Sequence, residues 1–591
     1  TLQALGRLKE SEESLRQAIV LKPDYAEAYN NLGNSLKKQD NLSDAEVNFR
    51  QAIMLKPQSF ETHYNIANLF RDTGNIREAE ISYRHVIGLN PDFESAYNNL
   101  GNILVDSQRL DEAIFNYQKA IRLNRELEQA HNNLGALFSR QKQYSKAKEC
   151  YGKALDIKSD FADANQNLSL LHLKLGDFSK GFDLYESRYH ENITDKVAIR
   201  PITMTPQYQG SNLSYDIKDK HLLIITEQGV GDEVMFASVL SELECVVKKY
   251  PKTRITLVCD PRLVELFNRS FNFVTAIPKN QNNLYHEIED SLDYWVFIGS
   301  LPKFYRRTIE EFSQHKSYLL ANEELVNSWK DRFSQLPHKI NVGISWLGGS
   351  RTKNKIDRSL SLEQMLPILS QVNQSANIIN LQYGDHEQEL LTFSQQSGIT
   401  IFDWEDCDPL KDLDNFSAQI AALDVVISID NSTVHFAGAL GIETYMMLPF
   451  DQDWRWVEDK DNSHWYPDSM TLFRQHRDGE WEDVIQNVSN TFRARNTDDN
   501  LVMPAQETIP PELEISELLR HYELGRYDEA ERFALNLIKK FPKHPFAWKV
   551  LGALLSQTDR HSEALNVSRK VVQLAPKDPE ARQLTTLEFS V

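Results

Sequence analysis

Cysteine is scarce: Cys150, Cys245, Cys259 and Cys407 are the four in 591 residues, and no two form a CxxC pair. They build neither a disulfide framework nor a zinc site, and they fit a reducing cytosol as buried, small apolar groups. Also missing is any run of ~18–20 consecutive apolar residues, so no membrane span is expected. Positive charge is in deficit, with 65 Lys and Arg against 85 Asp and Glu and a net charge of −20. Such a field repels nucleic acid and anionic membrane surfaces, so any phosphate chemistry must be local. Glycine and proline, at 23 and 21 residues, are too few for a collagen or low-complexity chain. What is there, 41% hydrophobic and 25% charged residues, is a folded chain long enough for about four units of ~150 residues. It opens at Thr1 inside a helical pattern and without Met, as a fragment of a longer repeat protein would.

Self-similarity organises both ends. Asn31-Leu32-Gly33, Asn65-Ile66-Ala67, Asn99-Leu100-Gly101, Asn133-Leu134-Gly135 and Asn167-Leu168-Ser169 recur every 34 residues. Ala45, Ala79, Ala113 and Ala147 keep that period, as do Phe49, Tyr83, Tyr117 and Tyr151, and Pro23, Pro57 and Pro91. Each unit reads as two helices: small residues allow close approach, the aromatic fills the gap to the next repeat, and proline ends the second helix. Residues 1–190 thus resemble tetratricopeptide repeats, degenerating where Arg125 and Ser159 replace proline and Gly181 replaces alanine. A shorter array at 513–591 repeats Ala530 and Ala564, and Pro542 and Pro576, with Val550 in the asparagine column. The polar stretch 498–512 reads as a linker.

Between the arrays the pattern changes. After a linker at 191–217, short apolar runs at Leu222–Thr226, Ile255–Cys259, Phe273–Ile277, Tyr294–Ile298, Val342–Trp346, Asn377–Gln382, Val425–Ile429 and Glu443–Leu448 alternate with helical stretches. This predicts two parallel α/β halves, 218–325 and 338–497, with chemistry in the loops that follow the strands.

Three such loops stand out. In Glu227-Gln228-Gly229-Val230-Gly231-Asp232 the glycines let backbone N–H groups approach an anion or sugar, and Asp232 is either a helix cap or a catalyst. Val234 replaces the third glycine of a dinucleotide fingerprint, which disfavours a nicotinamide enzyme. The second loop, 348–359, sets Arg351, Lys353, Lys355 and Arg358 in a chain of net negative charge. It is either a solvated loop or a cradle for a diphosphate leaving group. In the third, a strand ends at Asp430 and a helix begins, so N–H groups around Asn431, Ser432 and Thr433 offer an anion site; His435 also reads as a plain core histidine.

Taken in this order, the three loops resemble the heptosyltransferase-like glycosyltransferases (glycosyltransferase family 9-like), in the branch joined to tetratricopeptide repeats. The Gly-Asp of the first loop, the basic residue of Asp357-Arg358-Ser359, Gln382-Tyr383-Gly384-Asp385-His386-Glu387 and the SxDxxxxHxAxAxG run starting at Ser428 carry the resemblance over about 218–495. It implies a multidomain chain: an N-terminal α-solenoid, a central GT-B pair of Rossmann-like domains with acceptor side first and nucleotide-sugar side second, and a short C-terminal repeat array. Asp232 matches the family's general base and Arg358 the cation that neutralises the leaving diphosphate. Donor contacts fall on Gly229, Gly231, Lys355, Asp385 or Glu387, Asp430, Asn431, Ser432, Thr433 and His435. No cofactor beyond the nucleotide-sugar substrate is implied. The Asp–x–Asp pairs Asp406/Asp408 and Asp451/Asp453 arise by chance in so acidic a chain, so no metal is expected. Trp454, Trp456 and Trp465 either stack on sugar or wall the crevice.

The expected function is a metal-independent, inverting, cytoplasmic glycosyltransferase acting on an acceptor hydroxyl. Asn31, Asn65, Asn99, Asn133 and Asn167 form a carboxamide column that either grips an extended peptide acceptor or bonds neighbouring helices. A protein acceptor is expected, with a lipid-linked or polysaccharide glycan as one alternative and a catalytically inactive repeat scaffold as another.

Overall fold

The computed structural model describes residues 2, 5–189, 205–279, 291–312, 317–348, 358–458 and 460–497, then 518–522, 526–540, 544–558, 560, 564, 567 and 570–571. Lys355, Pro542, Pro576 and the 498–512 linker lie outside them. The described chain forms two compact units, Thr1–Asn490 and Thr491–Val591.

The first unit opens with eleven helices: α1 (Leu8–Leu21), α2 (Ala26–Lys38), α3 (Leu42–Leu55), α4 (Phe60–Asp72), α5 (Ile76–Leu89), α6 (Glu94–Asp106), α7 (Leu110–Leu123), α8 (Glu128–Arg140), α9 (Tyr144–Ile157), α10 (Ala162–Lys174) and α11 (Phe178–Tyr185). From α2 onward they pair into five repeats, each turn following a helix that stops just before Pro23, Pro57, Pro91 or its replacement. The aromatic column lies on the small residue of its own repeat. A Cβ on Gly33, Gly101 or Gly135 would stand 2.6, 2.5 or 2.7 Å from the ring of Phe49, Tyr117 or Tyr151. Bare backbone under a flat ring is what draws the two helices together, and in the second repeat Ala67 and Tyr83 are both fully buried.

After α11 the chain builds two parallel sheets. β1 (His221–Ile225), β2 (Arg254–Cys259), β3 (Thr275–Pro278) and β4 (Tyr294–Phe297) lie in the order β3-β2-β1-β4. β5 (Ile340–Ser345), β6 (Ala376–Asn380), β7 (Ile401–Phe402), β8 (Val425–Ile429), β9 (Glu443–Leu448) and β10 (Met470–Arg474) lie in the order β10-β9-β8-β5-β6-β7. The eight strands read from the sequence are present; β7 and β10, at the two edges, were not anticipated. Helix Glu323–Phe333 belongs with the second sheet, because Trp329 Nε1 donates to Asn415 Oδ1 at 2.9 Å and Arg332 pairs with Asp406. Cys150 and Cys259 are buried as expected, whereas Cys245 is exposed on the solvent face of helix Leu240–Lys249. No helix among the described residues is long and apolar enough to cross a membrane.

Repeats and sheets share one interior. A single apolar cluster takes in Phe178, Phe182 and Tyr185 of α11, Phe236 of the first half, and Trp454 and Trp465 of the second. Polar clamps reinforce it. Arg188, fully buried just after α11, donates to both oxygens of Glu227 at the end of β1, at 3.0 and 2.7 Å. Lys142 and Tyr144 hold Glu458 at 2.7 and 2.6 Å, and Lys174 holds Asp451 at 2.7 Å. The C-terminal unit contains helices Tyr527–Lys540 and Pro545–Gln557, with Ala530, Val550 and Ala564 buried.

The glycine contacts give the first prediction. Gly101→Ala should lower unfolding free energy by about 1–3 kcal/mol, because the Tyr117 ring must move. Gly152→Ala, on α9 with nothing within 4 Å of the new Cβ, should raise it by ~0.5–1 kcal/mol. Urea unfolding of the full chain reads both, and equal effects would refute the ring-on-glycine account.

Candidate functional site

β1, β5 and β8 are central strands, so their C-terminal ends open onto the crevice between the two halves. A cleft of about 340 Å³ there is lined by Gly229, Gly231, Asp232, Arg358, Tyr383, Asp430, Asn431, Ser432, His435, Asp453 and Arg455. Residues expected from three separate loops therefore meet in one place. Tyr383, Asp453 and Arg455 were not anticipated.

The first and third loops each start a helix, as their sequence reading had it, and most of the second, Arg351 and Lys353 included, lies outside the described residues. Gln228 adopts φ +64°, a conformation costly for a residue with a side chain. Its amide donates to Tyr185 Oη at 2.8 Å. The N–H of Gly229 donates to Asp232 Oδ2 at 3.3 Å, so Asp232 does cap its helix, Val230–Ala237. Gly231 serves helix approach: a Cβ there would lie 3.0 Å from His435 Cδ2 and 3.3 Å from Ser432 Cα, on the helix Ser432–Leu440 of the other half. Asn431 caps that helix by accepting from Thr433 N at 3.0 Å, while its amide donates to Ser345 Oγ and to Leu347 O. Thr433 itself is buried behind the turn.

Arg455 ties the halves together. Its Nε donates to Asp232 Oδ1 at 2.8 Å and Nη2 reaches the same oxygen; Nη1 donates to Asp453 Oδ1 at 2.6 Å and Nη2 to Gln228 Oε1 at 3.2 Å. Arg358 lines the same cleft, and its buried Nε has no hydrogen-bond partner among the described residues. Burial first, then the charge of Asp453, raise the Asp430 carboxyl to about 6 against the pull of Arg358 and Arg455. Burial, aided by the charge of Arg455, lowers His435 to about 3. That imidazole pairs with Tyr466 Oη at 2.9 Å and stacks on Trp456, so it is a neutral wall residue.

Other expectations fall elsewhere. Asp385 and Glu387 are exposed and do not line the cleft; Asp385 accepts from Glu387 N. Glu389, on the same helix, is the residue bound to Trp346 Nε1 and His386. Trp456 and Trp465 pack into the interior, and Trp454 alone of the three lines an opening. The four carboxylates of the two Asp–x–Asp pairs are bound by Arg332, Lys411, Lys174 and Arg455. Among the described residues, no group of three or more His, Cys, Asp or Glu is arranged for a metal.

A second cleft, about 330 Å³, runs between α8–α10 and the second half. Asn167, Lys174, Arg358, Asp430, Asp451, Asp453 and Trp454 are among its lining residues. It shares Arg358, Asp430 and Asp453 with the first, so the repeat surface leads into the crevice. Four asparagines of the column bond between repeats: Asn65 to Asn30 at 2.9 Å, Asn99 to Tyr64 and Asn68 at 2.9 and 3.0 Å, Asn133 to Asn98 and Asn102 at 3.1 Å, and Asn167 to Asn132 at 2.9 Å. Asn31 is exposed.

Known proteins identify the repeat class. Family models described as "TPR repeat" match residues 2–40 and 101–142, and models described as "Tetratricopeptide repeat" match 26–59, 60–93, 128–161 and 517–579. The chain carries tetratricopeptide repeats at both ends. It is similar to Protein FlbA of Caulobacter vibrioides, with 29% identity over 326 residues, 53% of this chain and 52% of that protein. The chain thus spans about half the length of this curated relative. Similar solved structures include MamA, at 20% identity, covering 27% of this chain and 94% of that one with a TM-score of 0.25. YrrB, described as a TPR protein with an unusual peptide-binding site, is 21% identical and covers 29% and 87% with a TM-score of 0.26.

The buried carboxyl supplies the second prediction. With its pKa raised from 3.8 to about 6, Asp430 holds its proton more tightly folded than unfolded, so its cost to stability is absent below about pH 4 and complete above about pH 6. Asp430→Asn should stabilise the chain at pH 8 by up to about 3 kcal/mol, and not at pH 4. Melting temperatures of both forms across that range decide it; a pH-independent difference would refute the burial account.

Proposed function

We propose that the chain is a glycosyltransferase of GT-B type, moving a sugar from a nucleotide-diphosphate sugar to an acceptor hydroxyl with inversion and without a metal. The observation that carries this reading is the convergence of Asp232, Arg358 and the Asp430–Ser432 turn from the two halves on one cleft. In the reaction the acceptor oxygen attacks the anomeric carbon and its proton passes to Asp232. The bond from that carbon to the diphosphate oxygen breaks, and its electron pair leaves on the diphosphate. Arg358 and the N–H groups at the start of the helix after Asp430 neutralise that charge. Asp430 lies where the two clefts meet and faces the sugar. Tetratricopeptide arrays present extended concave surfaces to peptide or protein partners, and the second cleft gives such an acceptor a route to the crevice. A protein acceptor is therefore favoured over a glycan.

One observation favours the scaffold reading instead: Asp232 Oδ1 is already taken twice by Arg455. Turnover separates the two. A screen of nucleotide sugars against the full chain should find one donor that is transferred or slowly hydrolysed. Asp232→Asn should then cut turnover by roughly 10²–10⁴-fold, and EDTA should leave the wild type unchanged. A variant as active as wild type makes Asp232 only a cap, and activity lost to chelator and restored by Mn²⁺ overturns the metal-free mechanism.

A further inference from the structure

Arg455 occupies the position that both the phosphate and the proton chemistry need. Its side chain is 14% exposed and lines the same cleft as Arg358. A diphosphate carries charge on both phosphates and is held best by planar guanidinium forks. Arg358 supplies one such fork. Arg455, the other guanidinium on this wall, is engaged by Asp232, Asp453 and Gln228. Asp232 is equally committed: Oδ1 takes two N–H groups of Arg455, and Oδ2 takes Gly229 N. A base needs a lone pair directed at the hydroxyl it deprotonates. With these partners the Arg455 fork is closed to a phosphate, and Asp232 has Oδ1 filled and one lone pair left on Oδ2.

We propose that Arg455 is a diphosphate-binding residue that changes partners, leaving Asp232 for the phosphate oxygens when a diphosphate ligand enters and thereby uncovering the Asp232 carboxylate for the acceptor. The proposal rests on the glycosyltransferase reading for the identity of the ligand. The backbone is suited to such a change. Glu458 and Asp451 anchor the loop to the repeats through Lys142, Tyr144 and Lys174, and Asp453 accepts the N–H of Arg455 at 3.0 Å. The exchange calls for side-chain torsions of Arg455, whose guanidinium now lies 4.9 Å from the Trp454 ring centroid, while the loop stays anchored. The consequence is an order of events: the donor binds first, and only then is Asp232 available, so an acceptor hydroxyl meets an active base only when a leaving group is in place.

Calorimetry of the full chain with inorganic pyrophosphate, and with UDP, GDP, ADP, dTDP and CDP, tests the exchange. If Asp232 competes for Arg455, Asp232→Asn should bind pyrophosphate and the preferred nucleotide about tenfold more tightly than wild type, a gain of ~1.4 kcal/mol. Arg455→Gln should weaken both at least tenfold, and Arg455→Lys, which keeps the charge without the fork, should fall between. The Asp232→Asn gain should vanish in the Asp232→Asn/Arg455→Gln double variant; a gain that persists there is through-space repulsion and overturns the exchange. Asp232→Asn binding no tighter than wild type, or Arg455→Gln binding as well as wild type, also overturns it. If pyrophosphate follows the expected pattern and none of the nucleotides binds better than pyrophosphate, the exchange stands and the nucleotide-sugar reading falls.

Discussion

The guanidinium of Arg455 is the point on which the relation between repeats, first half and second half depends. It lies on a loop of the second half, 449–458, that reaches both the repeats and the first half. Lys174 and Lys142 of the repeats grip the loop at Asp451 and Glu458, Trp456 backs His435, and the Arg455 fork reaches Asp232 in the first half. Removing one partner from such a partly buried network leaves a carboxylate without its cation, which costs far more than the intact pair contributes. The stacking of Phe236 on Trp454 and the Arg188–Glu227 pair close the same junction from the other side. The crevice is therefore a product of the repeats as much as of the sheets.

The asparagine column shows the same economy of polar groups. A carboxamide near the interior of a solenoid must find partners or bear the cost of desolvation. Here Asn99 donates to Asn68, which also accepts from Tyr83 Oη at 2.7 Å; Asn133 and Tyr117 meet on Asn102 in the same way. The Tyr83 and Tyr117 rings are thereby fixed on Ala67 and Gly101 by a hydrogen bond at their far ends. Apolar contacts alone would let neighbouring repeats slide, whereas a donor that must meet one acceptor fixes the register. Any peptide in the groove would meet an array whose asparagine amides are already committed to its own repeats.

The sequence was most legible where a signal repeats or is local. Thirty-four-residue columns defined the solenoid, and apolar runs bounded by loops defined eight strands. β7 was missed because two residues carry no period, and β10 because it follows an aromatic and proline-bearing run that reads as irregular. At the site, Asp232 and Asp430 were singled out because each follows a strand, and Arg358 because the family resemblance picks it from the basic loop after another. Arg455 was not, since its importance lies in a contact with a residue 223 positions away. Gly231 was noticed as a place of close approach to a ligand; it lines the cleft, and its missing side chain also admits His435 and the facing helix. A glycine declares that something approaches closely, without saying what.

Charge at the junction constrains any ligand, whatever the reaction. Asp232, Asp430 and Asp453 face Arg358 and Arg455 in one small cleft, and the chain around them is acidic. Against the described residues alone, an anion entering there adds to a surplus of negative groups, and it would either displace a carboxylate from a guanidinium or bring a proton with it. Both routes are built in. Arg455 can be shared or transferred, and Asp430, already raised to about 6 by burial and by Asp453, is the group on which a proton is most easily retained. Among the described residues the cleft holds one carboxylate more than it holds guanidinium groups, so an anion bound by these cations alone would favour proton retention on Asp430.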